Sequence, residues 1–113
     1  MKYLFIISFC LLAVLSGKQA QAQNSRLCDV FGTFYIEKEK AFADFSIYIE
    51  QEESFADLVV FREDNQLFAD KSGVWFFTDN RGLAHYRVFV ERNKNMADFS
   101  VFYTETKSFA GCR

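Results

Sequence analysis

Aspartate recurs at one position of a repeated phrase, and this set is the most regular arrangement of reactive groups in the sequence. The phrase carries aspartate five times and histidine once, at Asp29, Asp44, Asp57, Asp70, His85 and Asp98. Regularly spaced carboxylates could bind Ca²⁺, but calcium needs several oxygens on one tight turn, and each carboxylate here stands alone after Ala or Cys. We therefore interpret the set as structural turns, in which each side chain bonds backbone N–H groups locally, as an Asx-type turn before a strand.

Few other groups could support catalysis. His85 is the one histidine of the chain and has no evident nucleophile partner. Carboxylate pairs such as Glu52–Glu53 fall on polar turns and belong to no converging set of groups. Phosphate-binding loops and zinc-ligand spacings do not occur. The sequence therefore predicts a protein that is not an enzyme and that uses no cofactor or metal.

The N-terminal segment has the pattern of a secretory signal. Lys2 supplies a positive charge, residues 3–16 form an apolar core, and Ala20 and Ala22 are the small residues of a cleavage site. The apolar run is shorter than the roughly 20 residues of a membrane-spanning helix. We predict a Sec-type signal peptide over residues 1–22, with an uncleaved anchor as the alternative. The mature protein is then one exported domain, residues 23–113, without stable membrane insertion.

The two cysteines of this mature domain, Cys28 and Cys112, are predicted to form a disulfide. Cys10 leaves with the signal peptide, so an even pair remains in an oxidising compartment. The bridge would close a loop around nearly the whole domain, which the chain-entropy model values at roughly 4–5 kcal/mol. A redox pair or a metal site is the alternative, although a CxxC motif is absent.

The charge of the mature chain limits its partners. Removing Lys2 and Lys18 leaves 11 basic and 15 acidic residues, a net charge near −4. Nucleic acids and anionic lipid surfaces attract basic proteins, so neither is an expected partner.

The elements that must position these groups follow from the repeat itself. Seven copies of the phrase are separated by 15, 13, 13, 15, 13 and 13 residues, so the larger unit is a tandem pair of 41-residue halves. Gly32 and Gly73 occupy the same place in the two longer spacings and predict a bend or bulge there. The duplication predicts two pseudo-symmetric halves.

Each copy continues into an alternating stretch such as "FSIYIE" or "YRVFVE", which is rich in β-branched and aromatic residues. With no proline in the chain, this pattern predicts an all-β, compact single domain of short strands that are apolar on both faces. Trp75, Phe76 and Phe77 form an aromatic triple. We interpret them as core, with Trp75 as a candidate ligand surface for sugar or peptide in the alternative.

These phrases resemble the septknot family of small bacterial β-repeat domains of unknown function. The repeated Phe/Met-Ala-Asp phrase, "VWFFTDN" at 74–80 and "KSFAG" at 107–111 carry the resemblance over residues 28–112. It implies a compact all-β fold whose backbone forms a deep sevenfold torus knot, and a bacterial source. It implies no activity or ligand.

Two functions remain open at this point. The first is an exported, non-catalytic structural or interaction module, periplasmic or secreted, with an unknown protein partner. The second is a small extracellular protein that binds a glycan or Ca²⁺ through its aromatic residues or its repeated aspartates.

Overall fold

Short strands and 3₁₀ turns alternate along the chain. The computed structural model describes residues 27–112; the predicted signal peptide, residues 1–22, and its cleavage site lie outside this part. Its strands are β1 (Gly32–Glu37), β2 (Phe45–Ile49), β3 (Leu58–Arg62), β4 (Val74–Phe77), β5 (Tyr86–Val90), β6 (Phe99–Thr104) and β7 (Gly111–Cys112). The turns are η1 (Leu27–Asp29), η2 (Lys40–Phe42), η3 (Glu53–Phe55), η4 (Gln66–Phe68), η5 (Arg81–Leu83), η6 (Lys94–Met96) and η7 (Lys107–Phe109). The all-β prediction is confirmed.

Asparagine starts three of the turns. The side chains of Asn65, Asn80 and Asn93 each accept a hydrogen bond of 3.0 Å from the backbone N–H two residues later. Asparagine favours this local bond, which holds the first residues of a turn in place. The sequence-based interpretation assigned a local bond of this kind to the aspartates and overlooked these asparagines.

Six strands close into a parallel barrel. The order around the barrel is β4-β1-β5-β2-β6-β3, and β3 returns to β4, so every neighbouring pair is parallel. β7 runs antiparallel to β3. It pairs with Leu58 and Val59 at the start of β3, whereas β4 pairs with Phe61 and Arg62 at its end. Closure leaves the six strands without a free edge along the barrel wall.

The two halves of the duplication alternate around this barrel. The first half, residues 29–69, contributes β1, β2 and β3, and the second, residues 70–110, contributes β4, β5 and β6. Within the barrel, each strand therefore pairs only with strands of the other half. Consecutive strands usually skip a neighbour, and the turn crosses the skipped strand: η2 contacts β5, and η3 contacts β6. Neither half could form this sheet alone.

Inward side chains form three levels along the barrel. At every interface between strands the register is shifted by the same two residues, so equivalent residues of the six strands lie at one height. The central level is completely buried and consists of Phe34, Ile47, Val60, Trp75, Val88 and Val101. The level at the amino ends of the strands contains Gly32, Phe45, Leu58, Gly73, Tyr86 and Phe99. The level at the carboxyl ends contains Ile36, Ile49, Arg62, Phe77, Val90 and Tyr103. Alternation along the strands therefore builds one core in the barrel interior.

Glycine is required at two places where distant segments of the chain approach each other closely. Gly73 has φ +77°, and a β-carbon there would collide with the backbone of Gly111 and of Val59. Gly32 has φ +116°, and a β-carbon there would lie 2.6 Å from Nδ1 of His85. The extra residues of the longer spacings thus place a glycine where β1 and β4 begin, rather than a bulge inside either strand.

Candidate functional site

Three of the repeated aspartates bond to the other half of the protein. Asp44 Oδ2 accepts the backbone N–H of Arg87 at 2.7 Å, while its own N–H donates to the Arg87 carbonyl at 2.7 Å. Asp57 makes the same pair of bonds with Ser100, and Asp98 makes it with Ser46. Each carboxylate therefore adds one hydrogen bond to the pairing of two parallel strands, just before its own strand begins.

The serines facing two of these aspartates complete small networks. The Ser100 hydroxyl lies 3.2 Å from Asp57 Oδ2 and accepts the Asp57 N–H at 3.1 Å. The Ser46 hydroxyl is related in the same way to Asp98. Both serines are buried, so these bonds satisfy polar groups that water cannot reach.

His85 makes the equivalent contact with a ring nitrogen. Its Nδ1 accepts the backbone N–H of Thr33 at 3.1 Å, and its own N–H donates to the Thr33 carbonyl at 2.8 Å. Nδ1 must be unprotonated to accept, and the absent side chain of Gly32 makes room for the ring. The partners of His85 and of the aspartates are 43 or 52 residues away. The sequence predicted a local Asx-type turn at these positions, and that prediction is wrong. Strand pairing brings the N–H group of a distant residue to each side chain, in place of an N–H group from the following residues.

The remaining aspartates lie at the ends of turns. Asp29 is the last residue of η1 and Asp70 follows η4, and both are exposed. Within residues 27–112, no three His, Cys, Asp or Glu side chains are grouped so that they could hold a metal ion. The regular spacing along the sequence therefore does not bring the aspartates together in space.

Cys28 and Cys112 form a disulfide, as predicted, with their Cα atoms 5.0 Å apart. The bridge joins η1 to β7 and encloses all the other strands and turns between its ends. Both sulfurs are thereby engaged in a structural link.

Trp75 lies at the centre of the barrel and does not form a ligand surface. Its exposure is 0%, its ring stacks on that of Phe34 with centroids 3.9 Å apart, and Nε1 donates to the Val30 carbonyl at 2.9 Å. The candidate ligand role of Trp75 is therefore wrong, and the core interpretation of this residue holds. The reason is the inward direction that Trp75 shares with the five other residues of its level.

A ring of exposed apolar side chains surrounds the barrel. The last residue of each of the turns η2–η7 is large, apolar and between 54 and 63% exposed: Phe42, Phe55, Phe68, Leu83, Met96 and Phe109. We call these six residues the apolar girdle. Leu67, next to Phe68, is 80% exposed and enlarges the girdle on one side. The sequence contained this signal in the first residue of each phrase, but gave no reason to place it outside the core.

Basic residues connect neighbouring positions of the girdle. The Arg81 guanidinium carbon lies 5.7 Å from the ring centre of Phe42, and Lys94 Nζ lies 5.9 Å from that of Phe55. The same cations pair with glutamates of the other half. Arg81 Nη2 donates to Oε2 of the buried Glu37 at 2.7 Å, and its Nε lies 2.7 Å from Oε1; Lys94 pairs with Glu50. Lys40 pairs with Glu91, and Lys107 with Glu63, in the same manner. Four of the turns, η2, η5, η6 and η7, are thus each held to the other half by a charge pair.

The pKa values of two of these groups shift in the direction expected for ion pairs. The hydrogen bond from Lys107 lowers the pKa of Glu63, against a smaller opposing effect of burial. The hydrogen bond to Glu50 raises the pKa of Lys94. Both shifts favour the charged forms that make the pairs.

A cavity of about 580 Å³ opens at the carboxyl end of the barrel. It is lined by Ile36, Arg62, Glu63, Asp64, Phe76, Phe77 and Tyr103. The Arg62 guanidinium carbon lies 4.6 Å from the ring centre of Tyr103. Burial raises the pKa of the Tyr103 hydroxyl, against a smaller lowering by Arg62, so the phenol is neutral near pH 7.

Within residues 27–112, the structure contains no helix with the length and apolar character that a membrane span requires.

Comparison with known proteins identifies the family. Neither the curated proteins nor the solved structures returned a match. Residues 27–113 match the family model of the 7(1) septoil knot domain. The alternation of the two halves around this barrel agrees with that description. The chain therefore belongs to the septoil knot family, as its repeated phrases implied.

Proposed function

We propose that the protein is an exported, non-catalytic module that acts by binding another protein through its apolar girdle. The observation that carries this proposal is the repetition of one exposed apolar side chain in six successive turns. Single exposed apolar residues are normal on a protein surface, whereas adjoining ones, such as Leu67 and Phe68 in this girdle, are typical of a contact surface.

The bonding of the reactive side chains supports a non-catalytic role. Asp44, Asp57, His85 and Asp98 use their acceptor atoms on backbone N–H groups, and the cysteines of the domain are joined to each other. Groups engaged in this way contribute to the fold by satisfying backbone N–H groups.

The predicted signal peptide and the disulfide together support export. A disulfide persists in the periplasm or outside the cell, and it is rare in the reducing cytosol. N-terminal sequencing of the exported protein should begin at Gln23. An intact Met1 in exported material would contradict the cleavage.

Site-specific photo-crosslinking in the native cell tests the girdle. A photoreactive phenylalanine analogue at position 55 or 109 should give discrete crosslinked products with a protein partner, because both side chains are more than 60% exposed. Exposed positions away from the girdle, 79 and 92, serve as controls. Crosslinks of equal yield from both sets of positions, or none from the girdle, would reject the proposal.

A small-molecule ligand is the second candidate function, and one observation favours it. The support comes from the cavity at the carboxyl end of the barrel rather than from Trp75 or the repeated aspartates. The chemistry of this cavity limits the ligands that it could accept.

A further inference from the structure

The level of inward residues at the carboxyl end of the barrel contains one exception to its apolar character. Five of its six equivalent positions are occupied by Ile, Phe, Val or Tyr, and the sixth by Arg62. Ile49, Phe77, Val90 and Tyr103 pack against the buried core. Arg62 alone places a charged group on this level.

The exception coincides with the cavity. In the order of strands around the barrel, Tyr103 on β6, Arg62 on β3, Phe77 on β4 and Ile36 on β1 are consecutive. These four side chains line the cavity of about 580 Å³, a volume within the range of small-molecule sites. The cavity therefore has apolar side chains on both sides of one guanidinium.

The Arg62 guanidinium has no carboxylate partner within residues 27–112, unlike the side chains of Lys40, Arg81, Lys94 and Lys107. Its guanidinium carbon lies 4.6 Å from the ring centre of Tyr103. A guanidinium without a carboxylate partner offers N–H donors in a planar fork that matches the geometry of a carboxylate.

The acidic residues of the cavity limit the charge of a ligand. Glu63 is paired with Lys107 at 2.8 Å, so its charge is already compensated. Asp64 is exposed and carries the remaining negative charge on the rim. One positive charge with one negative charge near it suits a single carboxylate and disfavours a dianion such as phosphate.

We propose that this cavity binds a small monocarboxylate with an apolar or aromatic body. Arg62 holds the carboxylate through its in-plane N–H groups, and the body lies on Phe77 and Ile36. Because the hydroxyl of Tyr103 is neutral near pH 7, it can donate a further hydrogen bond to the ligand.

Titration followed by amide NMR of the oxidised protein tests the site. The probes are 3-phenylpropionate, its neutral amide and phenethylamine, which differ in charge but share the aromatic body. We expect 3-phenylpropionate to shift the amides of Ile36, Arg62, Phe77 and Tyr103. The amide and the amine should bind at least about tenfold more weakly.

Arg62→Met is the informative variant, because its five equivalents already carry apolar residues and a folded barrel is therefore expected. It should weaken 3-phenylpropionate binding by about tenfold or more. Arg92→Met removes one charge from an exposed position outside the cavity and should leave binding unchanged. Equal binding by Arg62→Met and wild type, preference for the amine, or no localised shift with any probe would each overturn the proposal.

The girdle and the cavity can be separated experimentally. Failure of the NMR titration leaves crosslinking from positions 55 and 109 unaffected. Failure of crosslinking does not alter the binding of 3-phenylpropionate to the isolated domain.

Discussion

Phe34 and Trp75 occupy equivalent positions of the two halves, 41 residues apart, and their rings stack at the centre of the barrel with centroids 3.9 Å apart. Each comes from a strand of a different half, since Phe34 lies on β1 and Trp75 on β4. The duplication thus brings the two largest fully buried side chains of residues 27–112 into direct contact. This contact is one reason why the halves depend on each other.

Replacing Trp75 by Ala should lower the free energy of unfolding by about 3–5 kcal/mol. The substitution removes a fully buried ring and leaves a cavity beside Phe34. Urea denaturation of the oxidised protein measures the change, and Trp75→Phe, which retains a ring, should cost less. A loss below about 1 kcal/mol for Trp75→Ala would show that the barrel centre is not closely packed.

Asp57→Ala should destabilise the protein by about 1–3 kcal/mol, because the Ser100 N–H loses its acceptor. Hydrogen exchange at the Ser100 amide should become faster. Asp79→Ala, on an exposed turn, is the matched control and should change stability by less than about 0.5 kcal/mol. Equal effects of the two substitutions would refute the role of Asp57 in strand pairing.

Arg81→Met should cost about 2–3 kcal/mol, because it leaves the Glu37 carboxylate buried without its charge pair to the guanidinium. The effect should be smaller than for a fully enclosed pair, since the Arg81 side chain is 51% exposed. The double variant Glu37→Met/Arg81→Met should recover most of the loss. No recovery in this double-mutant cycle would mean that Arg81 acts through its packing alone.

The ion pair of Glu63 with Lys107 should make stability depend on acidic pH. Because the pKa of Glu63 is lowered in the folded protein from an ordinary value of 4.5, the stabilising effect is present above that pH. It is lost as the pH falls through the folded value, where the carboxylate takes up a proton. Glu63→Gln should flatten this part of the stability profile, while Glu105→Gln on an exposed turn should not. An unchanged acid limb in Glu63→Gln would contradict the assignment.

The disulfide should decide how fast the denatured chain refolds. Cys28 and Cys112 lie near the two ends of the interleaved domain, so the oxidised chain is a closed loop that cannot unthread when it unfolds. The reduced chain can unthread and must thread again. After denaturation in guanidinium, we expect Trp75 fluorescence to recover more slowly in the reduced protein than in the oxidised one.

The double variant Cys28→Ser/Cys112→Ser should refold like the reduced protein. Loss of the bridge should also lower the free energy of unfolding by roughly 4–5 kcal/mol. Equal refolding rates of the oxidised and reduced chains after long denaturation would contradict this role of the bridge.

The spacing of the repeats determined much of the fold. Alternation in "FSIYIE" and its equivalents assigned Phe45, Ile47 and Ile49 to one face, and that face is the barrel interior. The two 41-residue units and the pairing of Cys28 with Cys112 also followed from the sequence. These properties are local or are fixed by a small number of candidates, so one sequence is enough to define them.

The choice of partner strand was decided only by the tertiary structure. Six similar strands can be ordered in many ways with the same faces buried, because a period of two residues does not specify which strand lies beside which. Only the closed order β4-β1-β5-β2-β6-β3 places Asp57 against Ser100, moves Trp75 to the centre and puts Arg62 between Tyr103 and Phe77. The sequence determined the repeated unit and the direction of its side chains. The interleaving of the two halves, which depends on contacts about 40 to 50 residues apart, determined the bonding of the aspartates and the position of the cavity.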